Sequence, residues 1–149
     1  MRQLSRRDVL ATGAGVLAVA AFGIDGAQAA NNAPDLIKAF TGGKAATEGK
    51  VKLDLPEIAE NGNSVTLAFD IDHPMTPERH VTDVLVIADS NPSPRVATFR
   101  FTPMSGRAAA ATRIRLAGTQ VISVLAKTSD GKLFMAQRQV KVTVGGCGG

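Results

Sequence analysis

An alternation of apolar and polar residues, recurring along most of the chain, constrains the fold more than any other feature. It is clearest between residues 65 and 71, where every second residue is apolar: Val65, Leu67, Phe69 and Ile71. A period of two is typical of a β-strand with one buried face. The chain after residue 50 is therefore expected to be built from strands.

Turn signals separate segments of this kind at intervals of about eight to twelve residues, which is typical of a sandwich. Seven strands are predicted, beginning near Val51, Val65, Val84, Ala97, Ile114, Gln120 and Phe134. The fold class is all-β, an immunoglobulin-like antiparallel β-sandwich. Arg138 interrupts the apolar parity of the last strand, which suggests a bulge or a passage past the sheet edge.

A short helix is predicted before the first strand. Leu36, Ile37 and Phe40 have helical spacing within the segment from Pro34 to Phe40, and Gly42-Gly43 can end the turn that follows.

Residues 1–29 have the pattern of an export signal. Arg6 and Arg7 precede an uncharged stretch from residue 9 to residue 24, which is too short to span a bilayer. Ala27-Gln28-Ala29 predicts cleavage after Ala29, and the paired arginines resemble a twin-arginine signal. An ordinary secretory signal is the alternative. Either route predicts a periplasmic protein with no membrane anchor after cleavage and a sandwich domain over residues 30–144.

The charge balance argues against a nucleic-acid interface. The whole chain has a formal net charge of +4, and removal of the signal leaves roughly +3 on the mature chain. This charge is small and dispersed, whereas a nucleic-acid site needs a clustered basic face.

The only cysteine of the chain, Cys147, lies in a glycine-rich tail. Gly145, Gly146, Gly148 and Gly149 surround it, so the neighbouring residues carry no Cβ and can adopt either sign of φ. Residues 145–149 are predicted to form a flexible arm. Deleting this arm is expected to leave thermal unfolding within a degree or two, as for an unpacked terminus.

The surroundings of the thiol favour attachment over catalysis. An arm that starts after Val144 could project Cys147 by roughly 10 Å. No Lys, Arg or His adjoins the thiol, and the carboxylate of Gly149 disfavours the thiolate. A catalytic cysteine needs a positioned base on a rigid frame. The other interpretation is a frayed tail whose cysteine does nothing.

The tail and several internal segments resemble the SoxY family, the sulfur-carrier subunit of the periplasmic thiosulfate-oxidation (Sox) system of bacteria. These segments are Gly145 to Gly149, Asn91 to Pro94, Phe99 to Pro103, Thr112 to Ala117 and Val140 to Val144.

The resemblance implies a heterodimer with a second, SoxZ-like β-sandwich subunit. It also implies that Cys147 carries thiosulfate-derived intermediates between haem-containing loading enzymes, thiosulfohydrolases and sulfur-oxidising enzymes, while the carrier itself catalyses none of these steps and needs no cofactor. A thiol-dependent periplasmic sulfurtransferase and a purely structural sandwich are the alternatives.

Two further groups of residues deserve a functional hypothesis. His73, Met75 and His80 fall in one loop, but their spacing matches no metal pattern, so no metal site is predicted. Arg113 and Arg115 share a strand face and could meet an anionic cargo, although a solvated face is the simpler interpretation.

Overall fold

The computed structural model describes residues 32–146 and contains one α-helix and eight strands in this range. The helix, α1, spans Ala33–Thr41. The strands are β1 (Val51–Asp54), β2 (Ile58–Asn61), β3 (Val65–Ile71), β4 (Val81–Ala88), β5 (Arg95–Arg100), β6 (Ala109–Ile114), β7 (Gln120–Thr128) and β8 (Leu133–Val144). The signal residues Arg6, Arg7 and Ala29 and the tail residues Cys147, Gly148 and Gly149 lie outside the described range.

The strands form two sheets that pack face to face, which confirms the predicted sandwich. One sheet has the order β1-β3-β6 and the other the order β2-β8-β7-β4-β5. The alternating residues of β3 point into the core between the sheets, where Leu67 and Phe69 are buried with Val124 and Val140. Burial of these apolar side chains is the main driving force for closing the two sheets on each other.

The predicted helix is present and covers the outer face of the five-stranded sheet. Its side chains Leu36, Ile37 and Phe40 pack against Leu85 of β4 and Leu125 of β7. The sheet is therefore buried on both faces under the helix, which explains why the second part of β4, Val84 to Ala88, is continuously apolar where other strands alternate.

Gly42 adopts a φ of 63° directly after the helix, as expected for a left-handed C-cap. Within residues 32–146 no helix is long and apolar enough to cross a membrane.

The structure differs from the sequence prediction in the number and direction of strands. The additional strand is β2, which pairs parallel to β8 through Ile58 and Lys141, so the sandwich is not entirely antiparallel. Only Ala59 is buried in β2, and a strand with one buried residue shows no alternation. This absence of alternation is why the sequence missed it.

Of the two irregularities predicted at Arg138, a bulge or a passage past the sheet edge, the bulge is absent. The β7–β8 register runs without a shift from Gln120 opposite Val140 to Lys127 opposite Leu133. Arg138 keeps its place in the ladder, and its guanidinium donates a hydrogen bond to the carbonyl oxygen of Leu55 at 3.1 Å. The charged group thus satisfies an acceptor beyond the end of β1, and no bulge is needed.

Candidate functional site

The tail leaves the sandwich at the end where β8 finishes. The β2–β3 turn, the β4–β5 loop and the β6–β7 loop reach the same end, because β3, β5 and β7 begin there. We call this region the tail end and define it by residues 61–64, 89–94, 115–119 and 144–146. These backbone segments meet at the last described residues of the chain.

Three backbone hydrogen bonds fix the last described residues of the chain. The N–H of Gly146 donates to the carbonyl oxygen of Leu116 at 2.8 Å, and the N–H of Gly62 donates to that of Val144 at 2.7 Å. The N–H of Leu116 in turn donates to the carbonyl oxygen of Gly62 at 2.8 Å. Gly146 is buried. We call Gly62, Leu116 and Gly146 the backbone clamp.

The glycines at this end are required by space, since none of them has a positive φ. A Cβ on Gly62 would lie 2.2 Å from the carbonyl oxygen of Leu116 and 2.7 Å from the nitrogen of Gly146. A Cβ on Gly145 would lie 2.2 Å from the carbonyl oxygen of Ala117, and one on Gly146 would lie 2.7 Å from that of Gly62. Three chain segments meet here at backbone distance, which only residues without side chains allow.

The first two residues of the predicted arm lie against the sandwich. Gly145 and Gly146 are packed against neighbouring backbone, and Gly146 is hydrogen-bonded to it. The sequence prediction treated the tail glycines as conformational freedom, whereas here the missing side chains serve close packing. The point of attachment moves from Val144 to Gly146, next to Cys147.

Two buried amide side chains hold the loop that carries Leu116. Asn91 and Gln120 are 4% and 3% exposed. The Nδ2 group of Asn91 donates to the carbonyl oxygen of Arg115 at 2.9 Å, and its Oδ1 accepts the N–H of Ala117 at 2.9 Å and the Nε2 group of Gln120 at 2.8 Å. The bonds of Asn91 thus fall on both sides of Leu116 and orient its carbonyl toward the tail.

Asn91 was predicted to lie in a loop, with no structural role. Gly62 was not predicted to contribute to the site. The available signals were an Asn directly before a Pro and an Asn-Gly-Asn run at residues 61–63, both of which mark turns in which side chains bond to the backbone. Neither signal reveals that the two turns meet.

The two predicted arginines flank the tail end. Arg113 lies in β6, and its guanidinium donates to the hydroxyl of Ser64 at 3.0 Å. Arg115 follows the strand and is exposed, and its side chain has no hydrogen bond or ion pair within residues 32–146. A cation without a partner beside the tail is free to attract an anion.

The histidine loop between β3 and β4 lies at the other end of the sandwich. Nδ1 of His73 lies 2.9 Å from the carbonyl oxygen of Pro74, and Nδ1 of His80 lies 3.2 Å from that of Thr76. Met75 packs against the core. No group of three or more His, Cys, Asp or Glu side chains in the described part of the chain could hold a metal. The loop is a packed turn of the surface.

A shallow groove with a volume of about 480 Å³ lies on the outer face of the three-stranded sheet. Arg107 and Asp70 form a two-point ion pair along it, in which Nε of Arg107 lies 3.1 Å from Oδ1 of Asp70. The hydrogen bond from Arg107 lowers the pKa of the Asp70 carboxyl below its usual value. The charges of this pair satisfy each other, and no hydroxyl or thiol side chain lines the groove.

The fold and the tail end together define a class of protein. The sandwich holds the residue before a lone cysteine through backbone bonds, and it places no base or metal group around that point within residues 32–146. Such a domain attaches a cysteine-bearing tail to a folded sandwich.

The chain matches the model of the family described as "sulfur oxidation protein SoxY" over residues 37–147, and it belongs to that family. SoxY proteins act as sulfur carriers in Sox thiosulfate oxidation, so this chain is a carrier and not an enzyme.

Solved structures agree with this assignment. The sulfur carrier protein SoxY from Chlorobium limicola f thiosulfatophilum is 32% identical, with a TM-score of 0.61, over 74% of this chain and 96% of that chain. Two superoxide reductases share the fold alone. The neelaredoxin from Ignicoccus hospitalis is 14% identical over 63% of this chain and 80% of its own, with a TM-score of 0.56. A putative superoxide reductase from Thermotoga maritima is 18% identical over 65% and 93%, with a TM-score of 0.55. Among curated protein sequences, none matches.

Proposed function

We propose that this chain carries thiosulfate-derived sulfur covalently on Cys147 and presents it to the enzymes of thiosulfate oxidation. The observation that carries the proposal is the family match together with the position of the only thiol, one residue beyond the clamped Gly146. Loading joins Sγ of Cys147 to the terminal sulfur of thiosulfate to form a cysteine S-thiosulfonate. This step releases a proton and an electron pair, which a haem-containing loading enzyme accepts.

The surroundings of the tail support carriage over catalysis. The groups that hold Gly146 are backbone amides and the neutral side chains of Asn91 and Gln120. None of them can act as a general base near neutral pH. A covalent linkage keeps the cargo on one chain while separate thiosulfohydrolases and sulfur-oxidising enzymes act on it, so effective concentration replaces free diffusion.

A second, SoxZ-like β-sandwich subunit completes the carrier in this proposal. Unpaired edges support it: β1 and β6 lie at the edges of one sheet, and β2 and β5 lie at the edges of the other. Open edges of a sheet are covered or charged in stable proteins. Ile58 of β2 and Val144 of the adjoining strand are each 60% exposed, so the β2 edge also offers apolar surface to a partner.

The proposed location is the periplasm. Residues 1–29, with Arg6 and Arg7 before the uncharged stretch and Ala29 at the cleavage point, support export of the mature chain. These residues lie outside the described range, and the support comes from their sequence.

Intact mass measurement of the protein from the periplasmic fraction of thiosulfate-grown cells tests the proposal. We expect sulfur adducts on the wild-type chain and none on Cys147→Ser. The two proteins should melt at the same temperature, because the sandwich precedes Cys147. Absence of the wild-type chain from this fraction would contradict the location, and unmodified wild-type protein would contradict carriage. Turnover of thiosulfate by the purified chain alone would indicate the sulfurtransferase instead.

A further inference from the structure

We propose that Gly62 is a positioning residue for the carrier cysteine. Because Gly62 has no side chain, the last strand, the β2–β3 turn and the β6–β7 loop can close on Gly146, so the carrier arm consists of residues 147–149 and not of residues 145–149. This inference rests on the proposed function and adds to it where on the sandwich the cargo is attached.

The hydrogen bonds at the clamp connect Gly62 to the segments that hold Gly146. Gly62 donates to Val144 and accepts from Leu116, and the carbonyl of Leu116 accepts from Gly146. Gly62 and Leu116 are thus each bonded to both other segments, and of the two only Gly62 has no side chain. It continues the β2–β8 ladder beyond its last pair, Asn61 opposite Val144.

The space around Gly62 has no room for a side chain. A Cβ on Gly62 would overlap the carbonyl oxygen of Leu116 and crowd the nitrogen of Gly146, and both are backbone atoms that cannot swing aside. Gly118, in the neighbouring β6–β7 loop, differs in this respect. A Cβ there would meet nothing within 4 Å. The two glycines lie at the same end of the sandwich and provide a matched pair.

The clamp sets the reach of the thiol. Consecutive Cα atoms are about 3.8 Å apart, so the Cα of Cys147 lies within one peptide unit of a fixed residue. An arm released from Val144 would reach roughly 10 Å. With the clamp closed, each partner enzyme must bring its active site to the tail end itself. Opening the clamp would lengthen the arm and spread the cargo over a larger volume, which lowers its effective concentration at any one site.

Comparison of Gly62→Ala with Gly118→Ala in the full mature chain tests the proposal. We expect the amide hydrogen of Gly146 to exchange about tenfold faster in Gly62→Ala, as for loss of one hydrogen bond of ordinary strength, and within about twofold of wild type in Gly118→Ala. A nitroxide attached to Cys147 should become more mobile in Gly62→Ala only. Equal exchange and equal label mobility in the two variants would overturn the proposal.

Two further measurements apply if Gly62→Ala does not fold. In the wild-type chain the Gly146 amide should exchange at least about tenfold more slowly than an unstructured glycine. A chain ending at Gly146 should melt within about a degree of wild type, while a chain ending at Val144 should melt several degrees lower. An unprotected Gly146 amide, or equal melting of the two truncated chains, would contradict the clamp.

These readouts do not depend on sulfur. Unmodified wild-type protein in thiosulfate-grown cells would remove the proposed function and leave the clamp standing. Fast exchange of the Gly146 amide together with normal sulfur adducts would contradict the clamp and support the proposed function.

Discussion

The two ends of the sandwich are held together by different chemistry. At the tail end, backbone groups and the neutral side chains of Asn91 and Gln120 hold the segments of the backbone clamp. At the opposite end, which we call the turn end and define by residues 73–80 and 128–132, charged and hydroxyl groups do so. The same sheets connect both ends, so the difference in chemistry comes from the loops and turns at each end.

The turn end is organised around Asp130. The hydroxyl of Thr128 donates to its carboxylate and accepts the N–H of Lys132 at 2.9 Å. Nζ of Lys132 and Nε of Arg79 lie 3.3 Å and 3.9 Å from Oδ2 of Asp130. The hydrogen bond from Thr128 is the main reason that the pKa of Asp130 falls to about 2. This end is therefore sensitive to acid.

The side chains that hold the backbone clamp are not titratable, because they are the amides of Asn91 and Gln120. The carboxylate of Asp89 bonds to Ser90 and to the N–H of Val121, outside the clamp. Asn91 and Gln120 keep the same protonation state at all ordinary pH values, and so do the backbone groups of the clamp. A carrier whose attachment point stays fixed while the surrounding pH varies offers its partners a constant geometry. Titratable groups therefore organise the turn end, whereas the bonds that hold the backbone clamp at the tail end are neutral.

The largest expected effect comes from breaking the tail end at Asn91. Asn91→Ala removes the partner of the Ala117 N–H and of the Arg115 carbonyl oxygen, and it removes one of the two acceptors of the Gln120 Nε2 group. We expect the free energy of unfolding in urea to fall by about 3 kcal/mol and the exchange of the Gly146 amide to accelerate. Asn61→Ala removes an exposed amide at the same end and should cost about 1 kcal/mol or less. Equal losses in the two variants would mean that the buried network does not support the clamp.

An intermediate effect is expected from the turn end, and it depends on pH. The pKa of Asp130 is depressed from 3.8 to about 2 by folding. The associated stability is present above pH 3.8 and is lost as the pH falls through about 2. Asp130→Asn should remove this part of the acid dependence in urea titrations. The part due to Asp70, whose pKa is also lowered, should remain.

The same titration separates the two ends. Asn91→Ala should lower stability by the same amount at every pH between about 2 and 7, because the network it breaks does not titrate. A loss that varied with pH across this range would show that a titratable group contributes to the network around Asn91.

The sequence predicts the features that are encoded by neighbouring residues, and it does not predict those that depend on residues far apart in the chain. The alternation in β3 and the apolar run of β4 report directly on burial, so the sandwich and its short helix were predictable. β2 was not predictable for two reasons. It forms by pairing in parallel with β8, which is distant in sequence, and only its residue Ala59 is buried. The mobile arm was predicted from glycine content, which cannot distinguish a glycine that is free from one that is packed.

The tail end shows the same limit more sharply. An Asn-Gly-Asn run and an Asn before a Pro predict turns, and both turns exist. The role of Gly62 arises only when Leu116 and Gly146 approach it from other parts of the chain. Such a role depends on tertiary contacts, and no local pattern contains it.

The smallest expected effect concerns the exposed cation beside the clamp. Arg115 is adjacent to Leu116 and has no partner among the described side chains, so it can attract thiosulfate or the anionic group carried on Cys147. Arg115→Gln should slow sulfur loading by the partner enzyme about twofold at low salt, and the difference should vanish as salt screens the charge. Lys44→Gln removes one positive charge near the turn end and should leave the loading rate unchanged, while both variants keep wild-type stability. A slower loading rate in both would indicate that overall charge guides the anion, and in that case the tail end would contribute the attachment point but no specific attraction for the cargo.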